Sequence, residues 1–264
     1  MSVYPRSEWV VPEFSVDLWR GRSSSACVVV PVINEGPRIG RLLARMAILG
    51  IPSIADIIVL DGGSTDGSLD DVAEAGSGVC GVLRKTGPGG LGAQLRCGYA
   101  FALDTGYEQI ITIDGNDKDD PVAIPSFLQR LRSGYDFVQA SRFVSGGVSE
   151  NTPLSRWLAI RCIHAPVASL VSRFFWTDTT QGFRGYSRSM LLDNRLRIFR
   201  SCFDRYELLV YLSCRAPRYG FRCIELPTAR RYPARGVPTK ISPIRGNLSV
   251  LSSLCRASLG RLDP

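Results

Sequence analysis

The sequence predicts an α/β protein with a twisted, mainly parallel sheet covered by helices on both faces. Two observations support this fold class: short apolar runs rich in valine and isoleucine, and helical patterns that separate most of them. The predicted strands are residues 26–33, 55–60, 81–84, 109–113 and 136–140. Apolar side chains at helical spacing indicate three helices, running from Ile39 to Met46, from Leu91 to Ala102 and from Ile124 to Leu131.

The alternation of strands and helices fades after residue 150. Helical patterns cover residues 154–176, 206–219 and 246–259, and residues 221–232 resemble a last strand. Residues 178–186 are predicted to form a loop or an edge strand. We therefore expect one domain over residues 26–245, with an N-terminal extension (residues 1–25) before it and an amphipathic tail (residues 246–264) after it.

The composition is that of a compact folded protein, with 264 residues of which 45% are hydrophobic and 21% charged. The apolar runs are shorter than the roughly 18 to 20 residues needed to cross a bilayer. The first residues contain Glu8, Glu13 and Asp17 and lack the apolar core of a signal peptide. We therefore expect a cytoplasmic protein.

The cysteine and histidine pattern argues against several kinds of site. The eight cysteines are spread along the chain without a Cys-x-x-Cys pair, which disfavours a zinc site or a disulfide framework. The only histidine, His164, lies in an apolar segment typical of a packed helix. A hydrolase triad is therefore not expected.

Charge is unevenly distributed along the chain. Residues 1–141 contain 12 basic and 17 acidic side chains, a net charge of −5, whereas residues 142–264 contain 20 and 7, a net charge of +13. The acidic half suits a metal ion and the basic half suits anions. Arginine supplies 29 of the 32 basic residues, which favours phosphate contacts, although a genome-wide preference for arginine gives the same count.

Polar residues follow most of the predicted strands, as at Pro31 to Glu35, Asp61 to Asp66, and Ser141 with Arg142. Ligands bind at the carboxyl ends of parallel strands, so we expect one shared site there. The richest cluster, residues 114–120, offers oxygen ligands for Mg²⁺ or Mn²⁺ held together with phosphate oxygens. The alternative is a solvated acidic turn that caps the next helix.

Seven segments together carry a family resemblance. They are VVVPVINE (28–35), VLDGGSTDGS (59–68), GPGGLGAQLRCGYAFA (87–102), TIDGND (112–117), ASRFVSGG (140–147), DTTQGFRGYSR (178–188) and RYPARGVPTKIS (231–242). In this order they resemble family 2 glycosyltransferases of the GT-A fold, particularly polyprenyl-phosphate glycosyltransferases similar to dolichyl-phosphate mannose synthase. The resemblance implies a nucleotide-sugar and metal half (residues 26–141) and an acceptor half (residues 142–245).

The resemblance assigns the donor pocket to the first half. Pro31, Glu35 and Asp61 would line the pocket for the base and ribose, and Gly90 and Gly92 would belong to the same nucleotide site.

The metal, Mg²⁺ or Mn²⁺, would bind at Asp114. Many relatives have Asp-x-Asp there, whereas this chain has Asp114-Gly115-Asn116 followed by Asp117. Either Asn116 or Asp117 would therefore be the second ligand.

The resemblance assigns phosphate binding to the second half. Arg142 and Arg184 would face donor or acceptor phosphates, and Arg235 and Lys240 match a basic pair that relatives use on the acceptor phosphate. An acceptor phosphate is already anionic and needs no base, whereas a hydroxyl acceptor needs a carboxylate. Glu207 is the candidate base for that second case, with an ion-paired helix terminus as the alternative.

The resemblance implies an inverting transferase that moves a sugar from a UDP- or GDP-sugar to a polyprenyl phosphate. The alternatives are a glycan or small-molecule hydroxyl acceptor, and an inactive transferase-like subunit. A nucleotidyltransferase is disfavoured because no glycine-rich segment ending in a basic residue follows the first strand. Nucleic acid is not an expected partner, since the first half is acidic and would repel a polyanion.

The helix predicted within residues 154–176 suits peripheral contact with the cytoplasmic face of a membrane. Its apolar residues, accompanied by Arg156, Arg161 and Arg173, are typical of an interfacial helix. The alternative is a buried packing helix. The apolar residues are Trp157, Ile160, Val167, Leu170, Val171, Phe174 and Phe175.

Overall fold

The computed structural model describes residues 2–70, 72, 78–233 and 245–264, with the backbone alone for residues 245–250. The strands of the main sheet are β1 (Phe14–Trp19), β2 (Ala26–Val32), β3 (Asp56–Asp61), β4 (Val79–Lys85), β5 (Gln109–Thr112), β6 (Phe137–Ser141), β8 (Arg184–Ser187) and β9 (Cys223–Pro227). A separate parallel pair consists of β7 (Val148–Glu150) and β10 (Ala229–Arg231).

Within the described residues, the main sheet has eight strands in the order β1-β4-β3-β2-β5-β8-β6-β9. All are parallel except β1 and β8, which run antiparallel to their neighbours. The predicted α/β class with a mainly parallel sheet is confirmed. Continuous burial of β2 and β3 explains why these strands were visible as unbroken apolar runs.

Helices cover both faces of the sheet. They are α1 (Pro37–Ile48), α2 (Leu91–Thr105), α3 (Ile124–Arg132), α4 (Leu154–Leu158), α5 (Ala165–Ser172), α6 (Arg188–Leu191), α7 (Glu207–Arg215) and α8 (Arg245–Ser258). Short 3₁₀ turns occur at Arg6–Glu8, Ile51–Ser53, Pro121–Ala123 and Pro217–Tyr219. Alternate residues of β2 divide the core, because Cys27 and Val29 pack with α2, α7 and α8, whereas Val28 and Val30 pack with α1 and α3.

Residues 2–25, expected to be an N-terminal extension, pack against the rest of the domain. β1 pairs with β4 and forms one edge of the sheet. Tyr4 is buried, and its backbone N–H donates to the carbonyl of Leu192 at 2.7 Å. Trp9 stacks on Phe199 with ring centroids 3.9 Å apart. The predicted tail is also docked, since α8 packs on α7 and Arg215 binds Asp263 at 2.5 Å.

The segment predicted as a loop or edge strand contains a central strand instead. β8 lies between β5 and β6. Gly185 allows this position, because a Cβ there would lie 3.1 Å from Leu131 and 3.2 Å from Phe127. A strand of sequence Arg-Gly-Tyr-Ser lacks the apolar run that marks its neighbours, which explains the wrong prediction.

Residues 154–172 form one helical segment in which α4 and α5 are joined by a π-helical turn, Ala159–His164. The apolar residues predicted to form one face fall into a buried group and an exposed group. Ile160 is buried and Val167, Val171 and Phe174 pack partly against the core, whereas Trp157, Leu170 and Phe175 are exposed. In the described part of the chain, no helix is both long enough and apolar enough to span a bilayer.

Candidate functional site

A cavity of about 380 Å³, the first cavity, opens at the carboxyl ends of β2, β3 and β5. It lies at the edge where polar strand ends were expected to meet. Pro31, Glu35, Gly90, Asp114 and Asn116, all proposed from sequence, line it. The fold therefore brings these residues together at one site.

Two predicted carboxylates next to this cavity are held by arginines. Glu35 lines the wall and lies 2.8 Å from Nη2 of Arg38. Asp61 is fully buried at the end of β3, where Oδ2 lies 3.1 Å from Nη1 of Arg84 and Oδ1 accepts the Ser64 N–H at 2.9 Å. These bonds fix the loops that follow β2 and β3.

Gly90 and Gly92 differ in their relation to the cavity. Gly90 lines it, and its N–H donates to Oδ1 of Asp204 at 3.3 Å. Gly92 is not among the lining residues, and a Cβ on it would lie 2.7 Å from the Phe203 carbonyl oxygen. Gly92 therefore allows α2 to pack closely against the backbone of residues 203–205.

Asp117, one of the predicted metal ligands, faces away from the cavity. Its backbone is left-handed, with φ of 56°. Its carboxylate binds Nε of Arg41 at 3.3 Å and Nη1 of Arg45 at 3.0 Å. Asp120 is similarly held, by Arg45 at 2.7 Å. These carboxylates fix the loop to α1 and do not face Asp114 in the cavity.

Asn116 lines the cavity but presents its nitrogen to Asp114. The Lys118 N–H donates to Oδ1 of Asn116 at 3.1 Å, and Nδ2 of Asn116 lies 3.4 Å from Oδ2 of Asp114. Of the three predicted ligands, only Asp114 thus presents carboxylate oxygens to the cavity. Among the residues described, no group of three histidine, cysteine, aspartate or glutamate side chains could hold a metal ion.

Two cations lie beside Asp114, and neither was proposed from sequence. Arg230 binds Asp119 and lies 3.6 Å from Oδ2 of Asp114. Lys118 is 9% exposed and its Nζ lies 5.2 Å from the ring centroid of Tyr232. Burial lowers the pKa of Lys118, and the nearby Arg230 acts in the same direction.

A second cavity, of about 80 Å³, adjoins the first and shares Arg156, Thr180, Tyr206, Leu209 and Arg230 with it. Its walls combine basic and apolar side chains, and none of its lining residues is an aspartate or glutamate. The apolar walls are Ala159, Ile160, Leu209 and Val210.

Three arginines of the second cavity point to one hydroxyl. The Tyr232 oxygen lies 3.4 Å from Nη1 of Arg142, 3.1 Å from Nη1 of Arg156 and 3.4 Å from Nε of Arg230. Arg142 is also paired with buried Asp178 at 2.7 Å. Burial opposes ionisation of the phenol, but Arg230, Arg142 and Arg156 prevail and lower the pKa of Tyr232 to about 7.

Arg184 is placed differently from the sequence expectation. It is fully buried and donates to the carbonyls of Gln181 at 3.0 Å, Leu209 at 2.6 Å and Thr179 at 2.7 Å. These bonds tie the segment before β8 to α7. The geometry therefore favours a structural role for Arg184 over contact with a phosphate.

Glu207 also lies outside the lining of both cavities. It begins α7, where Oε2 accepts the Arg205 N–H at 2.6 Å and Oε1 lies 3.8 Å from Arg256. This is the ion-paired helix terminus considered above as the alternative. The remaining predicted residues, Arg235 and Lys240, lie outside the described residues.

Comparison with known proteins identifies the family. The sequence profile of glycosyl transferase family 2 matches residues 27–194. This chain belongs to glycosyltransferase family 2.

The polyprenol monophosphomannose synthase of Mycolicibacterium smegmatis is 30% identical over 209 residues, covering 76% of this chain and 75% of that protein. The undecaprenyl-phosphate mannosyltransferase of Micrococcus luteus is 29% identical over 201 residues, covering 75% and 80%. The family resemblance predicted from the motifs is confirmed.

The fold comparison agrees with the family. Glucosyl-3-phosphoglycerate synthase from Mycobacterium tuberculosis in complex with UDP has a TM-score of 0.58 at 17% identity, covering 88% of this chain and 79% of that chain. The same enzyme with Mn²⁺, UDP and phosphoglyceric acid has a TM-score of 0.56 at 19% identity, covering 90% and 78%. The predicted GT-A fold is confirmed.

The same Mycobacterium tuberculosis enzyme was crystallised with Mn²⁺ and, in another structure, with Mg²⁺, whereas the residues of this family 2 chain do not fit the metal site expected from its sequence. Mg²⁺ prefers oxygen ligands, usually one or two carboxylates with phosphate oxygens. Here Asp117 is bound to α1, the Asn116 oxygen accepts the Lys118 backbone N–H, and of the three predicted ligands Asp114 is the carboxylate that lines the cavity. Arg230 and Lys118 beside it add positive charge where a dication would bind.

Replacing Tyr232 with phenylalanine is expected to abolish a tyrosine ionisation near neutral pH. The pKa of Tyr232 is about 7 in the folded protein and about 10 when unfolded. Its ionisation therefore adds stability as pH rises from about 7 to 10, and this contribution is lost as pH falls through 7. Tyrosinate absorbance of the wild type minus that of Tyr232→Phe should show one step near pH 7. A first step only near pH 10 would contradict the assignment.

Gly182→Ala is expected to lower turnover about a hundredfold, because a Cβ there would overlap Oδ1 of Asp114 and displace the carboxylate. The melting temperature should change little, since Asp114 can move into the cavity. Gly40→Ala is the matched control, because the space around Gly40 in α1 is open. Steady-state rates and thermal melts of both variants check this, and normal turnover by Gly182→Ala would show that Asp114 need not hold its position.

Proposed function

We propose that this chain transfers a sugar from a nucleoside-diphosphate sugar to a polyprenyl phosphate. The observation that carries the proposal is the convergence of Arg142, Arg156 and Arg230 on the Tyr232 hydroxyl in the second cavity. Guanidinium groups match phosphate oxygens in geometry and charge. The names of the mycobacterial and micrococcal relatives, which refer to polyprenol and undecaprenyl phosphate, support the same acceptor class.

The second cavity suits a phosphate attached to an apolar chain. Arg156 offers its charge there, since its described polar partner is the Tyr232 hydroxyl and no described carboxylate pairs with it. The aliphatic walls at Ile160 and Val210 provide contacts for the first isoprene units. The first cavity, next to it, takes the nucleotide sugar.

The described residues that line the second cavity include no aspartate or glutamate, which supports a phosphate acceptor over a hydroxyl acceptor. A hydroxyl needs a base within hydrogen-bond reach, whereas a phosphate oxygen is already anionic at neutral pH. Glu207, the candidate base, accepts the Arg205 backbone N–H and does not line either cavity.

The reaction is a single displacement. An acceptor phosphate oxygen forms a bond to the anomeric carbon as the bond from that carbon to the diphosphate breaks. The electron pair of the broken bond leaves with the nucleoside diphosphate, and no proton has to be moved. One displacement of this kind inverts the anomeric configuration. Positive groups at the leaving diphosphate accelerate it, because charge grows there in the transition state.

The test is the release of nucleoside diphosphate from UDP-, GDP- and dTDP-sugars, with and without a short polyprenyl phosphate. Turnover that requires the lipid phosphate supports the proposal and identifies the donor. Equal turnover with a glycan or small hydroxyl acceptor would overturn it, and nucleotide binding without any turnover would indicate an inactive subunit.

Arg156→Ala is expected to raise KM for the polyprenyl phosphate about 10- to 100-fold, the loss of one charge-assisted hydrogen bond. KM for the sugar nucleotide should change much less. Arg156→Lys should restore part of the affinity, since it keeps the charge but loses the planar fork. Arg132→Ala, which removes an exposed arginine at the end of α3, is the control. An unchanged lipid KM in Arg156→Ala would exclude this residue from the acceptor site.

We also propose that the exposed part of residues 154–175 touches an anionic membrane surface. The second cavity lies along this segment, which provides Arg156, Ala159, Ile160 and His164 to its lining. The exposed side chains combine apolar and basic character, as at interfacial helices. They are Leu154, Trp157, Leu158, Arg161, Ile163, Leu170, Arg173 and Phe175.

Replacing Leu170 and Phe175 together with serine is expected to weaken binding to anionic vesicles. These side chains are 82% and 80% exposed. Wild-type binding should be weak and should fall with added salt. Ile48→Ser is the matched control, since Ile48 is 85% exposed on α1. Vesicle co-sedimentation measures the effect, and equal binding of the wild type to neutral vesicles would count against an anionic membrane surface.

A further inference from the structure

We propose that the ammonium group of Lys118, together with Arg230, binds the diphosphate of the sugar donor in the position that a divalent cation would otherwise occupy. The inference rests on the proposed function in one respect, namely that the first cavity takes a nucleoside-diphosphate sugar. It adds a diphosphate-binding residue that the family resemblance did not indicate.

Lys118 is held firmly at this position. Its N–H donates to Oδ1 of Asn116 at 3.1 Å, and its carbonyl accepts the N–H of Arg231 at 2.8 Å. Its side chain lines the first cavity with Asp114 and packs over the ring of Tyr232. A cation fixed before the ligand arrives needs no reorganisation during the reaction.

The geometry of Asn116 makes a conventional ligand pair with Asp114 unfavourable. Turning its amide to present oxygen to a metal would break the bond from the Lys118 N–H and the contact from Nδ2 to Oδ2 of Asp114. The turn that contains Asp117 therefore positions Lys118 and at the same time occupies the Asn116 oxygen. The same bond thus favours a lysine site over a metal site.

The charge of the first cavity favours an anion. Among the described lining residues, Lys85, Lys118, Arg156 and Arg230 are cationic, whereas Glu35 and Asp114 are the carboxylates. Glu35 already binds Arg38 at 2.8 Å, and Asp114 faces Arg230 at 3.6 Å, while Arg230 is also paired with Asp119, so Lys85, Lys118 and Arg156 are the cations that leave the positive excess. A dication would be repelled by these cations, whereas a diphosphate would relieve their mutual repulsion.

The role in the reaction follows from where charge develops. As the bond from the anomeric carbon to the diphosphate breaks, its electron pair remains on the leaving oxygen. The ammonium of Lys118 and the guanidinium of Arg230 stabilise that charge electrostatically, and no proton transfer is required. Asp114 faces Arg230 at 3.6 Å and attracts the Lys118 ammonium electrostatically.

The test is calorimetric binding of UDP and GDP to the full chain, without acceptor, in Mn²⁺ and in EDTA. The wild type should bind its nucleotide with similar affinity in both conditions, within about threefold. Lys118→Gln should lose at least about tenfold in affinity in EDTA, as expected for one charged contact. Lys118→Arg should recover part of it.

Arg41→Gln is the matched control. It removes one positive charge from α1 that contacts the outer side of this loop at Asp117, and Arg45 still holds Asp117. Its nucleotide affinity should equal that of the wild type. A circular dichroism melt of each variant separates loss of binding from loss of folding.

The outcomes separate the two proposals. Wild-type binding that collapses in EDTA, or unchanged affinity in Lys118→Gln, would overturn the role of Lys118 while leaving transfer to polyprenyl phosphate intact. Metal-independent binding that depends on Lys118, without transfer to any lipid phosphate, would overturn the proposed acceptor alone. Absence of nucleotide binding in every condition would overturn both.

Discussion

The arrangement of both cavities depends on the interactions of the buried guanidinium group of Arg230. It pairs with Asp119, faces Asp114 at 3.6 Å and donates to Tyr232 at 3.4 Å. A buried charge is tolerated only where counter-charges and hydrogen bonds surround it. Here the counter-charges come from the loop after β5, and the hydrogen-bonding hydroxyl comes from the residue that follows β10. These two segments lie far apart in the sequence. Folding thus brings the loop and β10 together, and the charged groups are in place before any ligand binds.

Much of the fold could be predicted from sequence because burial on both faces gives the parallel strands unbroken apolar runs. β2 and β3 are examples. The edge strand β1 was not predicted because it is largely exposed. The segment of β8 was predicted as a loop or an edge strand because close packing at Gly185 takes the place of large apolar side chains. Hydrophobic periodicity thus identifies a strand or helix by the side chains that it buries. It fails where an edge position or a glycine determines the packing.

The site was predictable at the level of loops and less so at the level of side chains. Asp114 and Asn116, which motif order indicates as site residues, line the first cavity. It does not show that Asp117 turns toward α1, because that depends on one left-handed residue and on arginines in another helix. Lys118 and Arg230 could not be identified as site residues from the sequence, for a related reason. Their importance comes from their mutual position around Asp114, and no spacing within either segment encodes it.

The charges in the two cavities are linked, and the ionisation of Tyr232 shows how the positive charge is balanced without a ligand. Three guanidinium groups around one hydroxyl would repel one another if that hydroxyl stayed neutral, and they lower the pKa of Tyr232 to about 7. A bound phosphate provides the same negative charge more effectively. Phosphate and phenolate are therefore alternative counter-charges for the same arginines, so phosphate binding must raise the pKa of Tyr232. Because Arg230 contacts both Tyr232 and Asp114, this change in charge reaches the wall of the first cavity as well.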